Sequence, residues 1–242
     1  KIKEELLQEQ KKFLYERLNK IKTNFQKEWK KYPDSIKEKI EEQLAIAFTY
    51  NTNAIEGSTI TLEETRGIIE DKIAPQKSLR NIKETEAHAK LFLKTLQKKE
   101  KITNKLILNW HLELFKDTKP DIAGKFRDYL VRIGPYRAPD WQDIEKLMKN
   151  FISFINKNKK MNPVELSARI HYQFEKIHPF GDGNGRIGRL LMNYILWHNK
   201  YPILIIEYKK RKSYYRALQK GEEVFFTYFI RRYLKAHKKY LA

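Results

Sequence analysis

The sequence predicts an all-α protein carrying one β-hairpin. Three observations point there: apolar residues recur at helical spacing over nearly the whole chain, strand-like alternation is scarce, and Pro and Gly crowd one segment, 118–141, around the one run that reads as a strand. Residues 3–31 read as a long charged helix with an interrupted apolar stripe of Leu6, Phe13, Leu14, Leu18, Ile21 and Phe25, stopped at Tyr32-Pro33. Ser35 and Glu38 have capping-box spacing and open a helix to about Phe48; Thr61 and Glu64 do the same for a helix ending near Ile69. Beyond a loop containing Pro75, a helix runs from about Leu79 to Lys98, and Thr103 or Asn104 caps another through Phe115. Tyr129-Leu130-Val131-Arg132-Ile133 is the strand, read as one arm of a hairpin. Helical spacing resumes from Asp143 to about Asn156. Asn162-Pro163 places an N-cap and a first-turn proline before a helix through Glu175. A glycine-rich break at 178–185 leads into a helix over about 186–198, and two last helices cover about Lys212–Gln219 and Glu222–Lys239.

Composition narrows the class. The 242 residues are 41% hydrophobic and 13% aromatic, enough for a sizeable core rather than a disordered chain. No uncharged stretch approaches the roughly 18 apolar residues of a membrane span, and the Lys- and Glu-rich start is unlike a signal peptide. The absence of cysteine excludes disulfides, thiolate zinc sites and cysteine nucleophiles, and fits a cytoplasmic protein. With 50 Lys and Arg against 30 Asp and Glu, the net charge of +20 suits either a wetted surface or a polyanion partner such as nucleic acid.

Chemistry concentrates in His178-Pro179-Phe180-Gly181-Asp182-Gly183-Asn184-Gly185-Arg186-Ile187-Gly188-Arg189. Its glycines let backbone N–H groups converge at the start of a helix, an arrangement suited to phosphate. Arg186 and Arg189 lie three residues apart on that helix, about 4.5 Å along its axis, spaced to hold successive phosphates of one nucleotide. Asp182 offers a hard oxygen for Mg²⁺, and His178 a base titrating near neutral pH. Each residue alone has a plainer reading as a turn, a cap or a wetted helix face. Gathered in one loop, they favour phosphate chemistry.

This loop resembles the signature of Fic-domain proteins, H-P-F-x-[D/E]-G-N-G-R-x-x-R, at every fixed position, and the resemblance extends over roughly residues 45–235. It implies a helical bundle with a hairpin flap, and AMP transfer from ATP to a Tyr, Ser or Thr hydroxyl of a target protein. In that reading His178 is the base, Asp182 holds Mg²⁺, and the amides of Gly183, Asn184 and Gly185 form the anion hole. Arg186 serves the β-phosphate and Arg189 the γ-phosphate, while Phe180 anchors the loop. Tyr214 and Tyr215 resemble the aromatic pair of the adenine pocket. Ala123–Tyr136 resembles the flap, where a target strand docks beside Val131, Ile133 and Gly134. Thr52-Asn53-Ala54-Ile55-Glu56-Gly57 resembles the family's inhibitory motif, which implies that Glu56 pairs with Arg189 and misplaces the triphosphate. The chain accordingly divides into a helical extension over 1–45 and a Fic domain over 46–242, whose inhibitory helix covers about 46–57.

The expected protein is thus a self-inhibited adenylyltransferase, able to modify itself and open to the reverse removal of AMP. Its expected partners are ATP with Mg²⁺ and a target protein, with room for a homo-oligomer and none for a membrane. The competing reading is a basic module associated with nucleic acid, which the cluster Lys209-Lys210-Arg211-Lys212 motivates.

Overall fold

The computed structural model describes the backbone of residues 2–242 and side chains from residue 8 onward, so the Leu6 side chain of the apolar stripe lies outside what is described. The chain folds as helices α1 (Ile2–Trp29), α2 (Asp34–Ile55), α3 (Leu62–Arg66), α4 (Leu79–Gln97) and α5 (Asn104–Phe115), then strands β1 (Arg132–Ile133) and β2 (Tyr136–Arg137). Helices α6 (Ile144–Lys157), α7 (Pro163–Ile177), α8 (Asn184–His198), α9 (Arg211–Gln219) and α10 (Glu222–Ala236) complete it. Among the described residues the two strands are the whole of the sheet, so the all-α class with one hairpin holds.

Helix α8 is the axis of the molecule. Every residue from Asn184 to Leu196 is buried, as expected of a helix apolar nearly all round. One side of it, through Ile187, Leu190 and Leu191, joins a core with Phe92, Phe115, Phe174 and Phe180. The other, through Met192 and Leu196, joins Leu18, Ile21, Phe225, Phe229 and Tyr233. Helix α7 is its main neighbour, so both arms of the glycine-rich break are held by the core. No described helix is long and apolar enough to cross a membrane.

Several helix starts follow their local chemistry. Thr61 accepts from the Glu64 N–H while the Glu64 carboxylate accepts from the Thr61 N–H, a complete capping box. Thr103 caps α5 and Asn162 caps α7 ahead of Pro163. Elsewhere the structure departs from the sequence pattern. Ser35 is inside α2 and caps nothing, because Pro33 at φ −64° and ψ 161° occupies the cap position. Helix α2 runs on to Ile55 rather than stopping near Phe48, because its polar residues find tertiary partners. Thr49 bonds His88 at 2.8 Å, and Asn53 donates to Thr85 at 3.3 Å. The hairpin is shorter than its sequence run. Only Arg132↔Arg137 and Ile133↔Tyr136 pair, across a turn in which Gly134 supplies a φ of +56°.

Candidate active site

The site forms where α7 hands over to α8. His178 caps α7 in the left-handed conformation, φ 50° and ψ 60°, its N–H donating to Phe174 O at 2.9 Å. Its ring Nδ1 lies 3.3 Å from Glu175 O. A carbonyl only accepts, so Nδ1 carries the proton and Nε2 keeps its lone pair. Burial pulls the pKa of His178 down to about 4, which leaves the ring neutral at pH 7.

The loop between them is fastened at both faces. Phe180 is fully buried and stacks on His111, with ring centroids 3.9 Å apart. Asn184 accepts from the Phe180 N–H and donates to the Phe180 carbonyl, both at 2.8 Å. Gly183, at φ +80°, lies against the Phe115 ring so closely that a Cβ would overlap it. His111 accepts from the Gly124 N–H at Nδ1, so its Nε2–H donates to the Asp182 carbonyl at 3.0 Å. Arg127 is buried and donates to three carbonyls, His178 O at 2.8 Å and Tyr129 O and Pro139 O at 2.7 Å each. It ties the root of the hairpin to the loop.

The two arginines of α8 face different carboxylates. Arg186 pairs with Glu84 of α4 at 2.5 Å and with Asp182 at 3.3 Å. Arg189 is 1% exposed and bonded at all three nitrogens: Nε donates to Thr52 Oγ1 at 2.7 Å, and Nη1 to the Tyr214 hydroxyl at 3.3 Å. Its Nη2 donates to Thr52 O at 3.2 Å and to Glu56 Oε1 at 2.5 Å. Gly185 makes this approach open, since a Cβ there would meet the Glu56 carboxylate and the Arg189 guanidinium. Burial lowers the Arg189 pKa, but the Glu56 charge together with Tyr214 and Glu175 outweighs it, and the net shift is upward. Burial likewise works against the Asp182 and Glu84 carboxylates, yet Arg186, with Lys119, holds both below the usual range.

A polar cavity of about 290 Å³ opens over these groups, lined by Glu56, Arg80, Glu84, Lys119, Asp182 and Arg186 among others. Among the described residues no cluster of three His, Cys, Asp or Glu side chains is spaced for a metal ion. Asp182, half-exposed, fits the single-carboxylate role that Mg²⁺ takes when a nucleotide's phosphates supply its other ligands.

Of the predicted site residues, the structure brings together His178, Asp182, Gly183, Asn184, Gly185, Arg186, Arg189 and Glu56. Tyr214 is fully buried, its hydroxyl between His171 at 2.7 Å and Arg189, so of the aromatic pair only Tyr215 shows a ring to solvent. Val131 is half-buried, whereas Ile133 and Gly134 are exposed on the hairpin. Glu84, Lys119 and His111 carry no local mark in the sequence and emerge from the fold alone. Arg127, seen only as part of the flap segment, proves to be its tie to the loop.

Residues 101–196 match the Fic/DOC family. The chain is 38% identical over 189 residues to the protein adenylyltransferase Fic of Nematostella vectensis, covering 75% of this chain and 44% of that protein. It is 37% identical over 188 residues to that of Drosophila ananassae, covering 75% and 38%. The chain thus spans less than half the length of these curated relatives. In structure it resembles residues 134–508 of Fic-1 from C. elegans, with a TM-score of 0.81, 25% identity, and coverage of 95% of this chain and 72% of that one. A Fic-domain-containing signaling protein from Bacteroides thetaiotaomicron has a TM-score of 0.82 at 21% identity, covering 93% and 95%, and shares the fold. The unbroken signature at the α7–α8 junction, the helical architecture around it and these relatives agree: the chain carries a Fic/DOC domain, matched over residues 101–196.

Proposed function

We propose that the chain is a self-inhibited, ATP-dependent protein adenylyltransferase. The observation that carries this reading is the buried guanidinium of Arg189, one helical turn beyond Arg186, whose sole carboxylate partner among the described residues is the displaceable Glu56. The names of the curated relatives support the same activity.

The chemistry follows from the chain's own groups. The Nε2 lone pair of His178 takes the proton of a target Tyr, Ser or Thr hydroxyl. The resulting oxygen bonds to the α-phosphorus in line, the bond from that phosphorus to the bridging oxygen breaks, and pyrophosphate leaves. Amides of Gly183, Asn184 and Gly185 at the N-terminus of α8 stabilise the charge that builds on the α-phosphate oxygens. Arg186 holds the β-phosphate and Arg189 the γ-phosphate once Glu56 has left. Asp182 would hold Mg²⁺, which would supply charge neutralisation to the phosphates. The Tyr215 ring lies beside the adenine, with Tyr214 positioning Arg189 from below. A target segment adds to the hairpin edge near Val131, Ile133 and Gly134. The same Glu56 carboxylate is suited to activate water for the reverse reaction. Incubation with ATP labelled at the α-phosphorus tests the reading: self-labelling by Glu56→Gly supports it, and no transfer by that variant, folded and with Mg²⁺ present, overturns it.

A separate feature favours an anionic macromolecule as a further partner. A groove of about 620 Å³ between α9 and α10 is lined by Arg216, Lys220, Arg231, Arg232 and Lys235. Among the described residues none of these five has a carboxylate partner within 4.0 Å, while Glu223 at the rim is tied to Arg169. Nucleic acid fits such a surface, and affinity for a DNA duplex falling steeply with salt is the expected result. Salt-independent binding, or none at low salt, counts against it.

A further inference from the structure

The inhibitory pair accounts for Arg189, but the other end of the cavity holds a cation to which the reading above gives no role. Lys119 lies one turn beyond the end of α5, its N–H donating to Phe115 O at 2.8 Å. Its side chain is 13% exposed, and its ammonium stands 4.7 Å from the centroid of the Phe115 ring. From there it reaches two carboxylates at once, Asp182 Oδ2 in close contact and Glu84 Oε1 at 3.2 Å. Arg186 flanks the same ring at 4.7 Å and holds the other oxygens, Asp182 Oδ1 and Glu84 Oε2.

Charge and geometry give this arrangement a meaning. An ammonium bridging two carboxylate oxygens occupies the kind of place a hard cation takes, and it shields the very oxygen, Asp182 Oδ2, with the least other protection. Oδ1 is already taken by the Gly183 N–H and by Arg186. A cation cannot enter the inner shell of Asp182 Oδ2 while Lys119 sits on it, and Lys119 will leave only for other anions. Phosphate oxygens in the cavity supply them. A lysine suits such an exchange because it carries a compact charge on a flexible four-carbon stem, whereas the planar guanidinium of Arg186 is built to stay. Arg186 also keeps its buried Nε–H without an acceptor, so the cluster is short of anionic oxygen before a ligand enters.

We propose that Lys119 is a further phosphate-binding residue of this site, stored in the nucleotide-free protein as the resident cation of the Asp182–Glu84 pair and moved to the phosphates when nucleotide seats. The phosphate half of this assignment rests on the nucleotide-binding reading; the storage half rests on the carboxylate contacts alone.

The test uses the full chain and Lys119→Met, which keeps an apolar stem against Phe115, with Lys119→Arg as the charge-preserving variant. Circular dichroism melts establish that each is folded. Titration with Mn²⁺ in the absence of nucleotide reads the storage half. Lys119→Met leaves the carboxylate pair with one cation fewer and is expected to bind Mn²⁺ at least about tenfold more tightly than the wild type, with Lys119→Arg unchanged. Adding Asp182→Asn to Lys119→Met should abolish the gain. Titration with ADP in EDTA reads the phosphate half. ADP has no γ-phosphate, so Glu56 does not compete with it, and loss of one charged contact should weaken it about tenfold in Lys119→Met and by less than threefold in Lys119→Arg. Equal Mn²⁺ affinity in the wild type and Lys119→Met overturns the storage role, and equal ADP affinity overturns the phosphate role. If the wild type binds no ADP with or without Mg²⁺, the nucleotide reading and the phosphate role fall together, and the Mn²⁺ titration still decides the storage role.

Discussion

Glu56 and Arg189 are 133 residues apart in the chain and meet at 2.5 Å, joining the end of α2 to the second turn of α8. The guanidinium is buried, and the carboxylate is 28% exposed at the cavity edge. The pair is therefore asymmetric: Arg189 is also held by Thr52 and Tyr214, whereas Glu56 is the member able to leave.

Glu56→Gly should raise self-labelling from α-labelled ATP at least tenfold above the wild type, because Arg189 then has only the γ-phosphate to satisfy its charge. Arg189→Ala removes both contacts and should leave labelling at or below the wild-type rate. Equal activation by the two variants would mean that Arg189 serves inhibition alone.

His178→Ala in a Glu56→Gly background should lower transfer by roughly 10²–10⁴-fold while nucleotide affinity stays within a few-fold. Burial pulls the His178 pKa from 6.5 down to about 4, so the neutral, accepting form persists well below neutrality. The acid limb of the pH–rate profile tied to this ring is expected near pH 4 rather than 6.5. A limb near 6.5 would show that the ring is solvated when it works.

Arg127→Met should cost about 3 kcal/mol or more in chemical denaturation, since it strands three carbonyls in the interior. Because those carbonyls belong to His178, Tyr129 and Pro139, limited proteolysis should cut first between residues 128 and 140. A variant as stable as the wild type, with an intact hairpin, would remove Arg127 from its tying role.

Glu175 provides a pH test of the interior. Its carboxylate is mostly buried, with Oε1 lacking a hydrogen bond and 4.0 Å from His171 Nε2, and burial raises its pKa from 4.5 to about 7. A folded-state pKa above the unfolded value means stability that is complete below about 4.5 and lost as pH rises through 7. Glu175→Gln, which copies the protonated form, should therefore melt above the wild type at pH 8 and level with it at pH 4.5. A difference in melting temperature that does not change with pH would refute the assignment.

Much of this protein is local in origin. The signature from His178 to Arg189 declares itself because its turn chemistry, glycine conformations and helix start lie within twelve residues, and the caps at Thr61, Thr103 and Asn162 are equally short-range. The Glu56–Arg189 pairing was also legible, through a second short motif that resembles the family's. Other features had no such mark. Thr49-Tyr50-Asn51-Thr52-Asn53 lacks apolar periodicity, so the pattern ends α2 near Phe48. Hydrogen bonds between its polar side chains and His88 and Thr85 on α4, Arg189 on α8 and the Tyr208 N–H carry the helix on to Ile55. Tyr214 reads as a pocket wall beside Tyr215, but the packing of α9 turns it inward onto His171 and Arg189. Glu84 and Lys119 are two charges among 50 Lys and Arg and 30 Asp and Glu, and nothing nearby distinguishes them. They matter because the packing of α4 and the end of α5 against α8 brings them to Arg186 and Asp182, 102 and 63 residues away. Periodicity and turn chemistry act over a few residues and can be read in order; charges pair through space, and the core decides which ones meet.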